Sequence, residues 1–249
     1  MITYRSPKEI EKIRVSASLV AATLQYLCPM IEPGVTTAEL DRAAEAYIRK
    51  HGGIPAFKGY RGFPATLCTS INEEVVHGIP SKKRRLKAGD IIGVDCGAIV
   101  DGYYGDHAIT WAVGEIPVAV KHLIETTEAA LYAGIAQAKV GKHLSDISHA
   151  VQVFAEQHGY GVVKAFVGHG IGTSLHEEPQ VPNFGPPGRG PRLREGMVLA
   201  LEPMLNMGTW DVRILSDNWT VVTVDGKLSA HFEHTVAVAE QGGVILSQP

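Results

Sequence analysis

The feature that most constrains the fold of this chain is an internal repeat at one constant offset. Glycines, a histidine and a carboxylate recur 107 residues apart: Gly34 with Gly141, His51 with His158, Gly89 with Gly196, and Asp95 with Glu202. One offset that holds across helices and strands is hard to obtain by chance, so we expect two similar halves related by a pseudo-two-fold axis. Such halves form a site where they meet, because equivalent strand positions face each other across the axis.

Capping signals and glycines predict two helices in each half. In the first half, a serine or threonine followed three residues later by a glutamate twice begins an amphipathic pattern of apolar residues. The predicted limits are Ser6 to Pro33-Gly34, Thr36 to His51-Gly52, about Val118 to Gly141, and an N-cap at Ser145 to His158-Gly159.

Two Asp-Gly pairs predict antiparallel hairpins. Asp101-Gly102 separates strands at 91–97 and 103–113, and Asp225-Gly226 separates strands at 219–224 and 228–238. Antiparallel strands with flanking helices are typical of an α+β fold. We expect one domain over residues 1–249, with pseudo-repeat halves at about 1–113 and 114–249.

Composition excludes several classes of protein. The 249 residues carry 23 Lys and Arg against 26 Asp and Glu, a net charge of −3, so no basic field attracts nucleic acid or an anionic membrane. No apolar run reaches the roughly 18 residues of a membrane helix, and the polar N-terminus is unlike a secretion signal. Cys28, Cys68 and Cys96 form no CxxC pair, which argues against a disulfide framework and a thiolate zinc site. We therefore expect a soluble, cytoplasmic protein.

Two carboxylates lie in the first predicted hairpin. Its register places Asp95 and Asp106 on one face, directly or diagonally opposite. No Lys or Arg lies between Gly89 and Val120, so no local ion pair can neutralise them. Buried together, these acids must be protonated or bridged by cations. Taken alone, the pair fits two acids on a hairpin surface equally well.

The second half adds two acids in apolar strands. Glu202 lies in MVLALEPML and Glu233 in SAHFEHTVAVA. With one acid pair in each repeated half, the four carboxylates need a cation of high charge density, and an oxygen-rich set suits Mn, Fe, Co, Zn or Mg. A nitrogen ligand from His169 would favour a transition metal over magnesium. The glycine-rich turn around His169 could also indicate a dinucleotide loop, but it lacks an acidic ribose partner in a βαβ unit.

Five segments together resemble one known family, the type I methionine aminopeptidases in their short bacterial form. They are, in chain order, NEEVVHGIP, VDCGAIVDGYYGD, GHGIGTSLHEEPQVPNFG, GMVLALEPML and SAHFEHTVAV. The resemblance covers nearly the whole chain. It implies the pita-bread fold, with two pseudo-symmetric halves around an antiparallel sheet, and removal of the N-terminal methionine from peptides and nascent proteins when the second residue is small.

The resemblance also implies two divalent metal ions, of Co, Mn, Fe, Zn or Ni. Asp95 would chelate one ion, Asp106 and Glu233 would bridge both, and His169 and Glu202 would complete the other. A hydroxide shared by the two ions would attack the methionine carbonyl. Three further roles and one ion site follow in the same way. His176 stabilises the oxyanion, and His77 contacts the scissile amide or the next residue and helps to protonate the leaving amine. Glu202 accepts the proton of the water, and a structural monovalent cation binds near Asn72.

By resemblance, six residues line the pocket for the methionine side chain: Phe57, Tyr60, Phe63, Cys68, Leu175 and Trp219. Phe57, Phe63 and Leu175 depart from the residues common in the family but remain apolar, so methionine selectivity is expected to survive. Arg61 stands where histidine is frequent. His107 is also unusual, and the sequence suggests no role for it.

The implied partners are N-terminal Met-peptides and nascent chains at the ribosome, acted on by a monomer without nucleic acid or membrane. Two rival hypotheses remain. A binding module with the same fold would lack catalysis, although such relatives usually lose metal ligands and none is missing here. A prolyl-type or creatinase-type hydrolase would carry an extra N-terminal domain, for which a first helix beginning at Ser6 leaves no room.

Overall fold

Four helices form, and three of them begin at a capping box that satisfies free backbone N–H groups. The computed structural model describes residues 1–248. The helices are α1 (Pro7–Leu27), α2 (Thr37–Lys50), α3 (Val118–Ile135) and α4 (Leu144–Gln157). Ser6 and Thr36 each close the predicted capping box with a glutamate, Glu9 and Glu39 respectively. The capping signals are therefore confirmed for α1 and α2.

The predicted start of α3 and the predicted ends of α2 and α4 are confirmed, but three other helix limits differ from prediction. α1 ends at Leu27 and continues as one 3₁₀ turn, Cys28–Met30, before the predicted stop. α3 ends at Ile135, six residues before Gly141. Ser145 is not an N-cap, because α4 begins one residue earlier and His143 holds the cap position with Asp146 accepting from its backbone N–H at 2.8 Å.

Fifteen strands follow the chain order: β1 (Ile54–Pro55), β2 (Leu67–Ile71), β3 (Glu74–Val76), β4 (Ile91–Val100), β5 (Tyr103–Ala112), β6 (Gly161–Val162), β7 (Gly168–Gly170), β8 (Glu177–Val181), β9 (Val198–Leu201), β10 (Met204–Asn206), β11 (Val212–Ile214), β12 (Val221–Thr223), β13 (Ser229–His231), β14 (Glu233–Ala237) and β15 (Val244–Ile245). The main sheet has the order β1-β4-β5-β14-β9-β7-β8, with β2 beside β4 and β15 beside β14. All its pairs are antiparallel, so the predicted α+β class with an antiparallel core is confirmed.

One predicted hairpin forms and the other does not. β4 and β5 pair along their whole length around Asp101 and Gly102, whose φ angles of 49° and 78° give the left-handed two-residue turn that twisted strands prefer. The prediction around Asp225-Gly226 is wrong. β12 pairs with β11 and β3, whereas β13 pairs with β10. A turn does form there, but it sends the chain to a different sheet.

The offset of 107 residues recurs in individual hydrogen bonds. The N–H of Gly34 donates to the carbonyl of Leu86 at 2.8 Å, and that of Gly141 donates to the carbonyl of Leu193 at 2.8 Å. The limits of α2 and α4 also differ by 107 at both ends. The division of the chain into halves at residue 113 remains a prediction, but the backbone frame around each glycine turn is the same.

The two halves share the main sheet through β5 and β14. Glu233 pairs with Ala108, and His234 pairs with His107, so the seam is short. Alternation along each strand turns the two histidines toward α1 and α3 and turns Glu233 to the opposite face. Among residues 1–248, no helix combines the length and the apolar character needed to cross a membrane.

Candidate metal centre and substrate pit

A pit on the face of the sheet away from α1 and α3 contains every side chain predicted for the site. Its lining comprises Phe57, Tyr60, Arg61, Phe63, Cys68, His77, Asp95, Asp106, His169, Leu175, His176, Glu202, Trp219 and Glu233. The sequence places these residues in both halves and on at least five strands or their ends, and the fold brings them to one depression. Asn72 lies outside it, with its side chain bonded to Asp90 and to the backbone of Ile91.

The first hairpin holds its two acids diagonally opposite on one face. Asp95 pairs with Ala108 and Asp106 pairs with Gly97, so the carboxylates are offset by two residues on neighbouring strands. Asp106 is 4% exposed. The expectation of a shared face is confirmed, and the small residues opposite each acid leave room for both side chains.

The second half does not repeat this arrangement. Glu202 follows β9 directly, at the position equivalent to Asp95. The residue paired with Met204, the equivalent of Gly97, is His231 rather than Glu233. Each half still contributes two acids, as expected, but the second acid of the second half does not occupy the position equivalent to Asp106. Glu233 instead lies two residues further along, at the seam opposite Ala108.

His169 is oriented by its own turn. Its Nδ1–H donates to the carbonyl of Gly170 at 2.9 Å, which leaves the Nε2 lone pair facing the acids. This Nε2 is 3.5 Å from Oε1 of Glu202 and 4.0 Å from Oδ2 of Asp106. Burial lowers the pKa of His169 to about 3, so the ring is neutral and its nitrogen is free to bind a cation.

The four acids are placed where ionised carboxylates repel one another. Burial raises the pKa of Asp95 to about 7. The pKa values of Asp106, Glu202 and Glu233 also rise well above their ordinary range, first through burial and then through the neighbouring acids.

Three of the four acids also carry an oxygen that lacks a partner. Within residues 1–248, Oδ1 of Asp95, Oδ1 of Asp106 and Oε1 of Glu233 are enclosed and make no hydrogen bond. Ligand atoms of Asp106, His169 and Glu233 all lie within 4.8 Å of one another. Enclosed oxygens without donors, next to a neutral imidazole, form a donor set that fits divalent cations.

Two histidines stand above the acids, one from each half. His77 has a φ of 61° and packs edge-on against Phe166 at 5.5 Å between ring centroids. His176 lies with its ring centroid 4.2 Å from that of His169, and its Nδ1 is 2.8 Å from the hydroxyl of Tyr60. Burial lowers the pKa of both His77 and His176 to about 4, so both rings are neutral near pH 7.

An apolar compartment adjoins the acids. Its buried walls include Phe57, Phe63, Cys68 and Leu175, and Tyr60 and Trp219 pack against them. Phe63 meets Trp219 edge-to-face at 5.1 Å between ring centroids. Such a compartment accommodates an unbranched apolar side chain, while the polar end of the ligand reaches the acids.

Sequence reasoning missed His231. It is 3% exposed, and its Nε2 lies 3.9 Å from Oε2 of Glu202 with no hydrogen-bond partner among the described residues. The sequence did contain a signal for His231. It is two residues before Glu233, and strand alternation puts both side chains on one face.

His107, which had no predicted role, lies on the far face of the sheet. Its Nδ1–H donates to the carbonyl of Glu233, and its ring stacks on His234 at 4.4 Å between centroids. Through this bond it fixes the backbone at one end of the seam from behind the acids.

Known proteins resemble the chain along its whole length. It matches the pattern of metallopeptidase family M24 over residues 11–240. A methionine aminopeptidase of Clostridium acetobutylicum is 55% identical over 247 residues, which cover 99% of each chain. Methionine aminopeptidase 1 of Bacillus subtilis is 53% identical over 248 residues, which cover 100% of each chain. The crystal structure of methionine aminopeptidase from Thermotoga maritima has a TM-score of 0.98 and 44% identity, over 100% of both chains.

These likenesses confirm the predicted pita-bread fold and the expectation of a metal-dependent hydrolase that uses divalent cations. They agree with a site in which buried acids and a neutral imidazole face one pit. The chain belongs to metallopeptidase family M24, within its type I methionine aminopeptidases.

Proposed function

We propose that this enzyme removes the N-terminal methionine from peptides and nascent proteins by hydrolysis, with two divalent cations held by Asp95, Asp106, His169, Glu202 and Glu233. The observation that carries the proposal is the convergence of these five side chains on one pit beside an apolar compartment. The names of the relatives support the choice of methionine.

The acids need the cations. Oxygens of Asp95, Asp106 and Glu233 are enclosed without donors. Burial raises the pKa of all three carboxyl groups, and neighbouring acids raise those of Asp106 and Glu233 further. Bound divalent cations lower the pKa of water and polarise a carbonyl group, which is the chemistry that amide hydrolysis needs. Glu202 is placed to accept the proton of the water, because it is the acid at the edge of the cluster that meets His169.

His176 is the donor for the oxyanion. Tyr60 holds its Nδ1 at 2.8 Å, and with the hydroxyl donating to that nitrogen, the single proton of the neutral ring is on Nε2. A fixed N–H donor next to the acids stabilises the negative charge that develops on the carbonyl oxygen. His77, which also lines the pit, contacts the scissile amide or the second residue and helps to protonate the leaving amine.

The residues around the scissile bond determine which first and second residues of a substrate the enzyme accepts. The compartment of Phe57, Phe63, Cys68 and Leu175 takes the methionine side chain. The second residue then lies between His77 and His176, where a bulky side chain meets the rings. We therefore expect hydrolysis of Met-Ala peptides and little hydrolysis of Met-Leu peptides.

The finer assignments belong to the same proposal. The enzyme acts as a cytoplasmic monomer on nascent chains at the ribosome in this proposal. A monovalent cation near Asn72 also stays a prediction. Light scattering after gel filtration tests the monomer, and co-sedimentation with ribosomes tests the second assignment.

The decisive test uses the tripeptides Met-Ala-Ser, Ala-Ala-Ser and Met-Leu-Ser after chelation and after return of Mn²⁺ or Co²⁺. We expect hydrolysis only with metal restored, fastest on Met-Ala-Ser by at least about tenfold, since a hydrophobic pocket separates side chains by roughly that factor. A calorimetric titration should show two equivalents of cation. Equal rates on Met-Ala-Ser and Ala-Ala-Ser would refute methionine selectivity.

The same assay separates the rivals. A binding module would hydrolyse nothing with metal restored. A prolyl-type enzyme would prefer an Xaa-Pro peptide to Met-Ala-Ser.

A further inference from the structure

Arg61 stands at the tip of a closed turn beside the pit. The turn runs from Phe57 to Phe63, and the N–H of Gly59 donates to the carbonyl of Phe63 at 2.8 Å. Both ends of the turn are anchored, because the side chains of Phe57 and Phe63 are buried in the apolar compartment. Arg61 has a φ of 49°, a left-handed conformation that a non-glycine residue keeps only when its surroundings fix it. The fold therefore holds the backbone of Arg61 at the edge of the pit.

The charge of Arg61 is not used within the protein. Its side chain is exposed, and among residues 1–248 no carboxylate lies within ion-pair distance of it. In the described lining of the pit it is the single Lys or Arg, whereas the four acids there face the cation sites. The guanidinium lies 5.4 Å from the centroid of the Tyr60 ring, which orients it along the compartment wall.

The geometry of an extended substrate identifies the group that Arg61 can reach. Arg61 and His176 are exposed residues of the pit lining, whereas the walls of the apolar compartment are buried, so a peptide with its methionine in that compartment would leave the pit past these two residues. The second residue has to be small, so the third is the first that can carry a charge, about 7 Å beyond the first along an extended chain. An arginine side chain at the mouth spans that distance.

We propose that Arg61 is a specificity-determining residue that binds a carboxylate on the third residue of the substrate and gives the enzyme a preference for acidic side chains there. The proposal rests on the proposed function. A free C-terminal carboxylate on a tripeptide presents the same chemistry, and the two sources are separated by amidated peptides.

The experiment compares kcat/KM for the amidated peptides Met-Ala-Asp-Ser and Met-Ala-Asn-Ser, which differ only in the charge of the third residue. We expect the wild-type enzyme to prefer the Asp peptide by about two- to five-fold at low salt, the range of an exposed ion pair. The ratio should fall toward one in 0.5 M NaCl, where the screening length is about 4 Å. Met-Ala-Ser with a free or amidated C-terminus tests the other source.

Four variants locate the effect. Arg61→Gln should bring the Asp-to-Asn ratio to about one, Arg61→Glu should invert it, and Arg61→Lys should keep a preference. Arg189→Gln removes an exposed arginine outside the pit lining and should retain the wild-type ratio.

Three outcomes would overturn the proposal. If the wild-type enzyme hydrolysed both peptides with a ratio of one, the role of Arg61 would be refuted and the proposed function would stand. A preference that survives in Arg61→Gln would have the same consequence. If the wild-type enzyme with restored metal hydrolysed neither peptide, the proposed function would fail and this inference would fail with it.

Discussion

In the first half, Asp106 on β5 lies opposite Gly97 on β4; at the equivalent place in the second half, His231 on β13 lies opposite Met204 on β10. The helices and glycine turns of the two halves keep the offset of 107 residues, as do the first acids of the cluster, Asp95 and Glu202. The second pair of acids does not. The repeat therefore preserves the frame and not the complete set of ligands.

The difference follows from where the halves meet. Glu233 is paired with Ala108 at the seam, so the acid of the second half lies at the pseudo-axis, while its equivalent in the first half is an alanine. One acid at the axis can face both halves, whereas two facing acids would repel. The histidines His169 and His231 then come from the second half alone. A symmetric frame thus holds an asymmetric charge distribution.

The largest effect is expected when the charge of an acid near the seam is removed. Asp106→Asn or Glu233→Gln should lower the metal content of the protein and should lower the rate of peptide hydrolysis by about a thousandfold or more. Each variant removes a charge that the proposed cations need. Metal analysis by mass spectrometry and a Met-Ala-Ser assay measure the two effects. His122→Gln, at an exposed histidine of α3, is the matched control. Full activity with stoichiometric metal in either acid variant would exclude the assigned ligand set.

Substitution of His176 separates an effect on catalysis from an effect on metal binding. His176→Ala should lower turnover by about a hundredfold, the usual loss for one oxyanion donor, and leave metal content unchanged. Tyr60→Phe removes only the hydroxyl that holds Nδ1 of His176, so a smaller loss is expected, about tenfold or less. Parallel loss of metal in His176→Ala would contradict its role toward the substrate.

Substitution of His231 tests whether the residue at the position equivalent to Asp106 contributes to cation binding. Its Nε2 lies 3.9 Å from Glu202, close enough to orient that carboxylate from behind. His231→Leu should weaken cation binding by about tenfold, the lower range for groups that support a ligand, and His231→Gln should recover part of it. Calorimetric titration of metal-free protein gives the affinities. Unchanged affinity in His231→Leu would make this residue part of the packing alone.

Much of this comparison was predictable from the sequence, and the errors in strand pairing have one cause. The capping boxes at Ser6 and Thr36 and the Asp101-Gly102 turn were correct because their hydrogen bonds are local. The Asp225-Gly226 hairpin was wrong because a local turn does not determine which strand pairs with the next. For the same reason the sequence placed Glu233 in a strand without revealing that His231, and not Glu233, takes the position equivalent to Asp106.

The metal-free protein should show the burial of the acids as a dependence of stability on pH. Folding raises the pKa of Asp95 to about 7 from an ordinary 3.8, so between these values the folded chain binds more protons than the unfolded chain, and this group's contribution to stability is lost as pH rises. Buried His169 contributes with the opposite sign, because its pKa is lowered to about 3.

A difference measurement isolates the acids from the histidines. Thermal unfolding of metal-free Asp106→Asn and of metal-free wild type should diverge by a few degrees from pH 5 to pH 8, with the variant more stable at the higher pH. Added Mn²⁺ should remove the divergence by stabilising the wild type. A constant difference across this range would show that the acids do not repel.

The smallest expected effect concerns a hydrogen bond from an arginine to the glycine turn, which is present in both halves. Nη1 of Arg85 donates to the carbonyl of Gly34 at 2.6 Å, and Nη1 of Arg192 donates to the carbonyl of Gly141 at 2.8 Å. Arg85→Met and Arg192→Met keep the aliphatic stems and remove the donors, so each should lower the free energy of unfolding by about 1 kcal/mol. The two bonds share no partner, and the double variant should lose the sum. Urea unfolding measures all three. A loss in only one half would show that the repeat preserves the geometry of this turn but not its energetic role, and the asymmetry of the acids would then extend into the frame.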